Sequence, residues 1–181
     1  IWFGRNSQGG GVYDAMQGTA QTWLMAQGQT NFGALCSFAD SYGHVFLGGT
    51  RGLWWVDATK PGKISANDAR RIIHPLLGDG VTISSLRQWR HYLVIAAGKH
   101  ILLLNLKSFN TNVAQSSLLF LHPQETNFTG ETYQNAMLVD RTDSSLWVAT
   151  SDMLYRLDLN SWLQQPKRSI TPQCLLVTGH D

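Results

Sequence analysis

An all-β fold follows from three observations on this sequence. A motif of apolar and small residues recurs: Val45-Phe46-Leu47-Gly48-Gly49-Thr50-Arg51-Gly52-Leu53-Trp54-Trp55-Val56-Asp57, then Leu93-Val94-Ile95-Ala96-Ala97-Gly98-Lys99-His100-Ile101-Leu102-Leu103-Leu104-Asn105, then Leu146-Trp147-Val148-Ala149-Thr150-Ser151-Asp152-Met153-Leu154-Tyr155-Arg156-Leu157-Asp158. A looser copy opens the chain as Ile1-Trp2-Phe3-Gly4 and resumes at Val12-Tyr13. The small residues Gly4, Gly48, Ala96 and Ala149 mark the copies at steps of 44, 48 and 53 residues, close to the roughly 40 to 50 residues of a four-stranded blade. Each copy divides into two short runs rich in β-branched and aromatic residues, joined by small or polar ones, which is the signature of a hairpin. The predicted architecture is a series of β-propeller blades of four antiparallel strands, about three complete and one partial, forming a fragment of a larger ring.

In chain order, residues 1–30 make the partial blade, and 31–80, 81–130 and 131–181 the complete ones. The repeated hairpin supplies the second and third strands of each. Innermost strands precede it at Ala34–Ala39, Ile83–Trp89 and Asn135–Val139. Outer strands follow at Thr22–Ala26, Ile72–Leu77, Leu118–His122 and Cys174–Thr178. Pro61-Gly62-Lys63 reads as a loop, with a short helical turn over Ala66–Arg71 left as an alternative. The runs are too short and too often broken by glycine for helices to complete three turns. Gly4, Gly48, Ala96 and Ala149 sit where converging blades leave little room, and the large neighbours Phe46 and Trp147 fill wider gaps, each burial worth about 1.5–3 kcal/mol. An open arc leaves sheet faces bare at its ends, so flanking blades of the same protein or another molecule are expected to cover them.

With 181 residues, 43% hydrophobic and 14% charged, the chain is long enough for a well-buried core and too apolar for disorder. A net charge of +2, with pairs such as Arg70-Arg71 and Lys167-Arg168 only, gives no basis for a nucleic-acid partner. No apolar run approaches the roughly 18 to 20 residues that span a bilayer, so any membrane attachment is expected through segments outside this sequence. The chain opens on Ile1, without a start Met or signal pattern, and its true ends are expected to lie elsewhere. Cys36 and Cys174 are far apart, each in an apolar stretch, and read as buried thiols.

The second and fourth copies carry a further likeness. Asp40-Ser41-Tyr42-Gly43-His44-Val45-Phe46-Leu47-Gly48-Gly49-Thr50, Leu146-Trp147-Val148-Ala149-Thr150 with Leu154-Tyr155-Arg156-Leu157-Asp158, and the fragment Ile1-Trp2-Phe3-Gly4 resemble the repeat of the two-component regulator propeller family. The third copy, with Val94 and Gly98, and the first, with Met16, depart from that repeat. The resemblance implies a periplasmic sensor portion of a bacterial hybrid histidine kinase, diguanylate cyclase or membrane-tethered regulator. It also implies that a small ligand, often glycan-like, or a partner protein is sensed.

Little else in the sequence points to chemistry, and no enzymatic activity is expected of this segment. Asp57, Asn105 and Asp158 share one position after the third strand, and Asp40 and Asp140 one position after the first, where a short polar side chain bonds turn backbone. Histidines 44, 74, 91, 100, 122 and 180 show no metal-ligand spacing, and neither a metal nor a cofactor is expected. Gly9-Gly10-Gly11 reads as a hairpin turn. Trp2, Trp54 and Trp147 fit core positions, while Trp23, Trp89 and Trp162 fall outside the repeated hairpin and are the better candidates for an exposed, sugar-stacking surface, with core or edge packing still favoured for them. Asn127-Phe128-Thr129 matches a glycosylation acceptor that a bacterial protein would not use. The turns between second and third strands gather on one face of a propeller and are the default binding surface. They offer Arg5 and Asn6, Arg51, Lys99 and His100, and Ser151 and Asp152, a set whose basic members favour an anionic ligand such as an acidic sugar.

Overall fold

A computed structural model describes residues 2–5, 9–14, 16, 18–23, 33–59, 68–77, 80–98, 100–109, 118–120, 132–150, 153–164 and 173–177. The strands form four antiparallel sheets, and in each sheet every strand pairs with its neighbours in sequence. This up-and-down meander of about four strands is the propeller blade that the repeats predict. The chain divides into two compact units, Ile1–Ile83 and Ser84–Asp181.

In the first unit, β1 (Trp2–Arg5), β2 (Gly9–Asp14) and β3 (Thr19–Trp23) make a three-stranded sheet. The glycine run is strand and not turn: Gly10 pairs with Gly4 on one side and Trp23 on the other. A ladder on both flanks thus claims residues whose composition alone suggests a reversal. β3 starts earlier than the expected Thr22, because Gly18, at φ 63, already supplies the left-handed turn.

The second sheet holds β4 (Ala34–Ala39), β5 (His44–Gly49), β6 (Gly52–Asp57) and β7 (Arg70–Arg71). Val45, Phe46, Leu47, Leu53, Trp54, Trp55 and Val56 are all buried, so these middle strands are covered on both faces. The outer strand lies before the expected Ile72–Leu77. Arg70 and Arg71 pair with Trp55 and Trp54, Ile72 adds one bond from its N–H to the Leu53 carbonyl at 2.8 Å, and Pro75–Leu77 then turns as a 3-10 helix. Proline has no N–H to give a ladder and its fixed φ suits that turn. Of the helical alternative over 66–71, Asp68 is in 3-10 conformation while Arg70 and Arg71 are strand; residues 66 and 67 lie outside the described residues.

At Gly48 the need for a small residue is direct. A Cβ there would lie 2.5 Å from Ile83 Cγ2 and 2.6 Å from Cys36 Sγ. Ile83 is the last residue of the first unit, and its side chain closes the space over Gly48. Cys36 is buried, and its thiol reaches the Ile83 carbonyl at 3.6 Å.

The second unit contains two sheets: β8 (Ile83–Trp89) through β9 (Tyr92–Ala97) and β10 (His100–Asn105) to β11 (Leu118–Phe120), and β12 (Thr132–Asp140) through β13 (Ser145–Thr150) and β14 (Met153–Asp158) to β15 (Gln173–Val177). They stack face to face. Val94, Ala96, Ile101 and Leu103 from one meet Leu146, Val148, Tyr155 and Leu157 from the other in a single buried cluster. The register explains the selection, because Val94 pairs with Leu103 and Ala96 with Ile101, which puts all four on one face. Trp89 and Trp162 belong to the same cluster and are core residues.

Trp162 sits on α1 (Leu159–Gln164), a helix not anticipated from the sequence. Asp158 caps it, its Oδ1 accepting from the N–H groups of Asn160 (2.9 Å) and Ser161 (3.3 Å). Leu159 and Trp162 are then buried one turn apart on the same face. The other shared turn positions behave as expected. Asp57 accepts from the Thr59 N–H, Asn105 from Lys107, Asp40 from Tyr42 and His44, and Asp140 from Thr142. No helix among the described residues is long and apolar enough to cross a membrane.

Candidate functional site

Successive hairpins put their turns at alternate ends of a sheet. The connections between second and third strands, where the sequence places a binding surface, therefore lie at the strand ends opposite the connections between first and second strands. At the former, Arg51 is exposed in the two-residue turn between β5 and β6, and makes no hydrogen bond or ion pair with a described residue. His100, half-buried, opens β10 opposite Ala97. Arg5 closes β1, with its side chain outside the described residues, and Asn6, Lys99, Ser151 and Asp152 lie outside them altogether. Arg51 and His100 belong to different units.

A cavity opens instead at the other strand ends, inside the second unit. It has a volume of about 390 Å³ and is lined by Gln88, Trp89, Arg90, Arg141 and Ser144. Two turns build it: Arg90-His91 between β8 and β9, and Arg141–Ser144 between β12 and β13. Among the described residues, the two non-glycine residues with positive φ are Arg90 (52°) and Ser144 (61°), and both line this cavity. Such backbone costs an L-residue roughly 1–2 kcal/mol. Ser144 takes the place that Gly43, at φ 86, fills before β5.

Arg90 is held from two sides. Its guanidinium carbon lies 4.6 Å from the centre of the Trp89 ring, and Nη2 donates to Asn160 Oδ1 at 2.8 Å. Gln88 Nε2 donates to the Arg90 carbonyl at 2.8 Å, tying down the turn itself. The Ser144 carbonyl accepts from the Leu159 N–H at 3.1 Å, which anchors the second turn to α1. Arg141 is exposed and makes no hydrogen bond or ion pair with a described residue.

The nearby acids are committed elsewhere. Asp143 accepts from the Ser145 N–H (2.8 Å) and from Arg156 Nη2 (2.7 Å), and these hydrogen bonds, led by those from Ser145, hold its carboxyl below the ordinary value. Asp158 is lowered chiefly by the Ser161 hydroxyl at 2.6 Å. His91 is lowered by burial first, then by the positive charges of Lys107 and Arg90. Its ring lies tilted against Tyr92 at 4.2 Å, and Tyr92 in turn stacks on Trp89 at 5.9 Å. His44, one blade earlier and at the position of Tyr92, bonds Asp40 Oδ2 at 2.8 Å and meets Trp55 edge-on. No group of three or more His, Cys, Asp or Glu among the described residues is placed to hold a metal ion.

The cavity is not legible in the sequence, because its two arginines stand in turns 51 residues apart. The available signal was positional: both follow the end of an inner strand, in consecutive blades.

No family model matches the sequence. No curated protein matches it either. Among solved structures, the extracellular domain of a chain assigned to a hybrid two-component system of B. thetaiotaomicron matches over 99% of this chain, with a TM-score of 0.61 and 16% identity. The likeness is one of fold. This chain spans 20% of the length of that neighbour.

The second face of the last sheet is less covered than that of the second sheet. Leu138 is 62% exposed there, paired with half-buried Trp147, while Ala149 pairs with half-buried Leu154. The matching positions of the second sheet, Phe46 and Leu53, are fully buried.

Proposed function

We propose that this chain is a binding and sensing segment within a propeller of a bacterial membrane-associated signalling regulator, facing the periplasm. The fold likeness over 99% of the chain to the extracellular domain of a hybrid two-component system carries this reading, and the resemblance of the repeats to regulator propellers supports it. The segment performs no chemistry itself. Further blades of the same protein cover the apolar face at Leu138 and Trp147, since a sheet face of that composition is stable only against another. A small anionic or glycan-like ligand, or a partner protein, engages the turns carrying Arg5, Asn6, Arg51, Lys99, His100 and Asp152.

Protease treatment of intact spheroplasts of the source bacterium tests the location. The propeller is digested from outside if the reading is right, and protection until lysis overturns it. Replacing Arg51 and Lys99 together with glutamine tests the surface. Affinity for a cognate anionic ligand falls, and unchanged affinity removes that face from the account.

A further inference from the structure

The cavity at the first-to-second strand turns belongs to no role proposed so far, and its construction is specific. Two arginines, from turns of separate sheets, line it. One guanidinium, that of Arg90, is held between the Trp89 ring and Asn160, which fixes its plane and uses one of its five N–H donors. The other, on Arg141, has no partner among the described residues. Of the acids that could neutralise them, Asp143 is bound to Arg156 and Ser145, Asp158 caps α1, and Asp140 Oδ1 holds the N–H and hydroxyl of Thr142. The same positive field is felt by His91, whose proton Lys107 and Arg90 oppose in addition to burial. Both turns also hold a residue in left-handed backbone at the rim. Strain at paired positions around one cavity is a feature that functional sites retain and structural turns discard by adopting glycine.

We propose that this cavity is a binding site for the oxyanion group of a small ligand, a carboxylate or a phosphate or sulfate ester, gripped between the guanidinium groups of Arg90 and Arg141. Planar guanidinium groups match such oxygens in pairs of parallel hydrogen bonds, and one pre-set by stacking loses little freedom on binding. Gln88, its Nε2 already used, presents its carbonyl oxygen as an acceptor for a hydroxyl beside the charged group. The site is at the opposite end of its sheets from His100 and shares no residue with the sensing surface proposed above, so either can fail without the other.

The test is calorimetric titration of the 181-residue chain at low salt with inorganic phosphate, inorganic sulfate and citrate in turn. At least one probe saturates, and the tighter class tells a tetrahedral from a carboxylate ligand. Arg141→Gln, at an exposed position, keeps its circular dichroism and weakens that probe ~10-fold or more, the worth of a charge-assisted contact. Arg90→Lys retains the charge but loses the planar fork, and weakens it as well. Arg70→Gln, on exposed β7, leaves affinity unchanged. No saturation by any probe overturns the proposal, as does saturation that Arg141→Gln and Arg90→Lys leave untouched.

Discussion

Replacing Gly48 with alanine probes the packing on which the blade reading rests. The added methyl would lie 2.5 Å from Ile83 Cγ2, 2.6 Å from Cys36 Sγ and 2.9 Å from Ile83 Cβ, where relaxed carbon contacts need about 3.5–4.0 Å. Two effects oppose each other. Restricting the unfolded chain favours folding by about 0.4–1 kcal/mol, while forcing a methyl into a filled core costs about 1–3 kcal/mol. The clash wins, and Gly48→Ala destabilises by about 1–2 kcal/mol, read as a lower urea midpoint at unchanged slope by tryptophan fluorescence. Ile83→Ala removes the obstructing Cγ2 and alone costs about 2–5 kcal/mol. In the double variant the methyl at 48 enters the vacated space, so the combined loss is smaller than the two single losses together by about 0.5–2 kcal/mol. A Gly48→Ala chain as stable as the parent, or strict additivity in the cycle, refutes the close approach at this position.

Other consequences follow from the second unit. Trp162→Ala empties a position that is 1% exposed and costs about 3–5 kcal/mol in the same unfolding assay. Trp162→Phe costs less than half as much, because it also removes an indole N–H that is buried without a hydrogen-bond partner among the described residues. Ser144→Gly relieves the left-handed backbone at φ 61 and raises stability by up to about 1 kcal/mol in urea unfolding. Stability also falls in two steps with acid. His74, lowered by burial, and His91 stay neutral in the fold below 6.5, so the unfolded chain takes up protons first and stability erodes as pH drops through and below that value. Asp143 and Asp158 are lowered from 3.8, so their stabilisation is present above that pH and disappears as it falls further. Thermal melts against pH show the first limb flattened in His91→Gln and the second in Asp158→Asn.

The parts of the fold legible in the sequence are those governed by local pattern. Ile83–Trp89 and Ala34–Ala39 were delimited to the residue, because their apolar runs are bounded by turn residues. Asp40, Asp57, Asn105, Asp140 and Asp158 were assigned to turn backbone, and each accepts an N–H from two residues onward. The misses arise where pairing overrides composition. β7 is two arginines, a poor strand by content, because the unpaired edge of β6 selects whatever chain lies beside it. The glycines of β2 are strand for the same reason. α1 was readable in principle: Asp158 followed by Leu159, Trp162 and Leu163 is a cap and one apolar face. The arginine cavity was not, since it exists only once two turns distant in sequence are stacked by the cluster around Ala96 and Val148.

The central claim is that the three complete copies of the motif, opening at Val45, Leu93 and Leu146, fold as the same hairpin, with the small residue facing the residue five positions on. Nuclear Overhauser contacts across the hairpins measure this directly in the deuterated, selectively labelled chain. Cross-strand contacts should join Gly48 to Leu53, Ala96 to Ile101 and Ala149 to Leu154. Contacts between residues three apart along these segments, or cross-strand contacts shifted in register from one copy to the next, would contradict it.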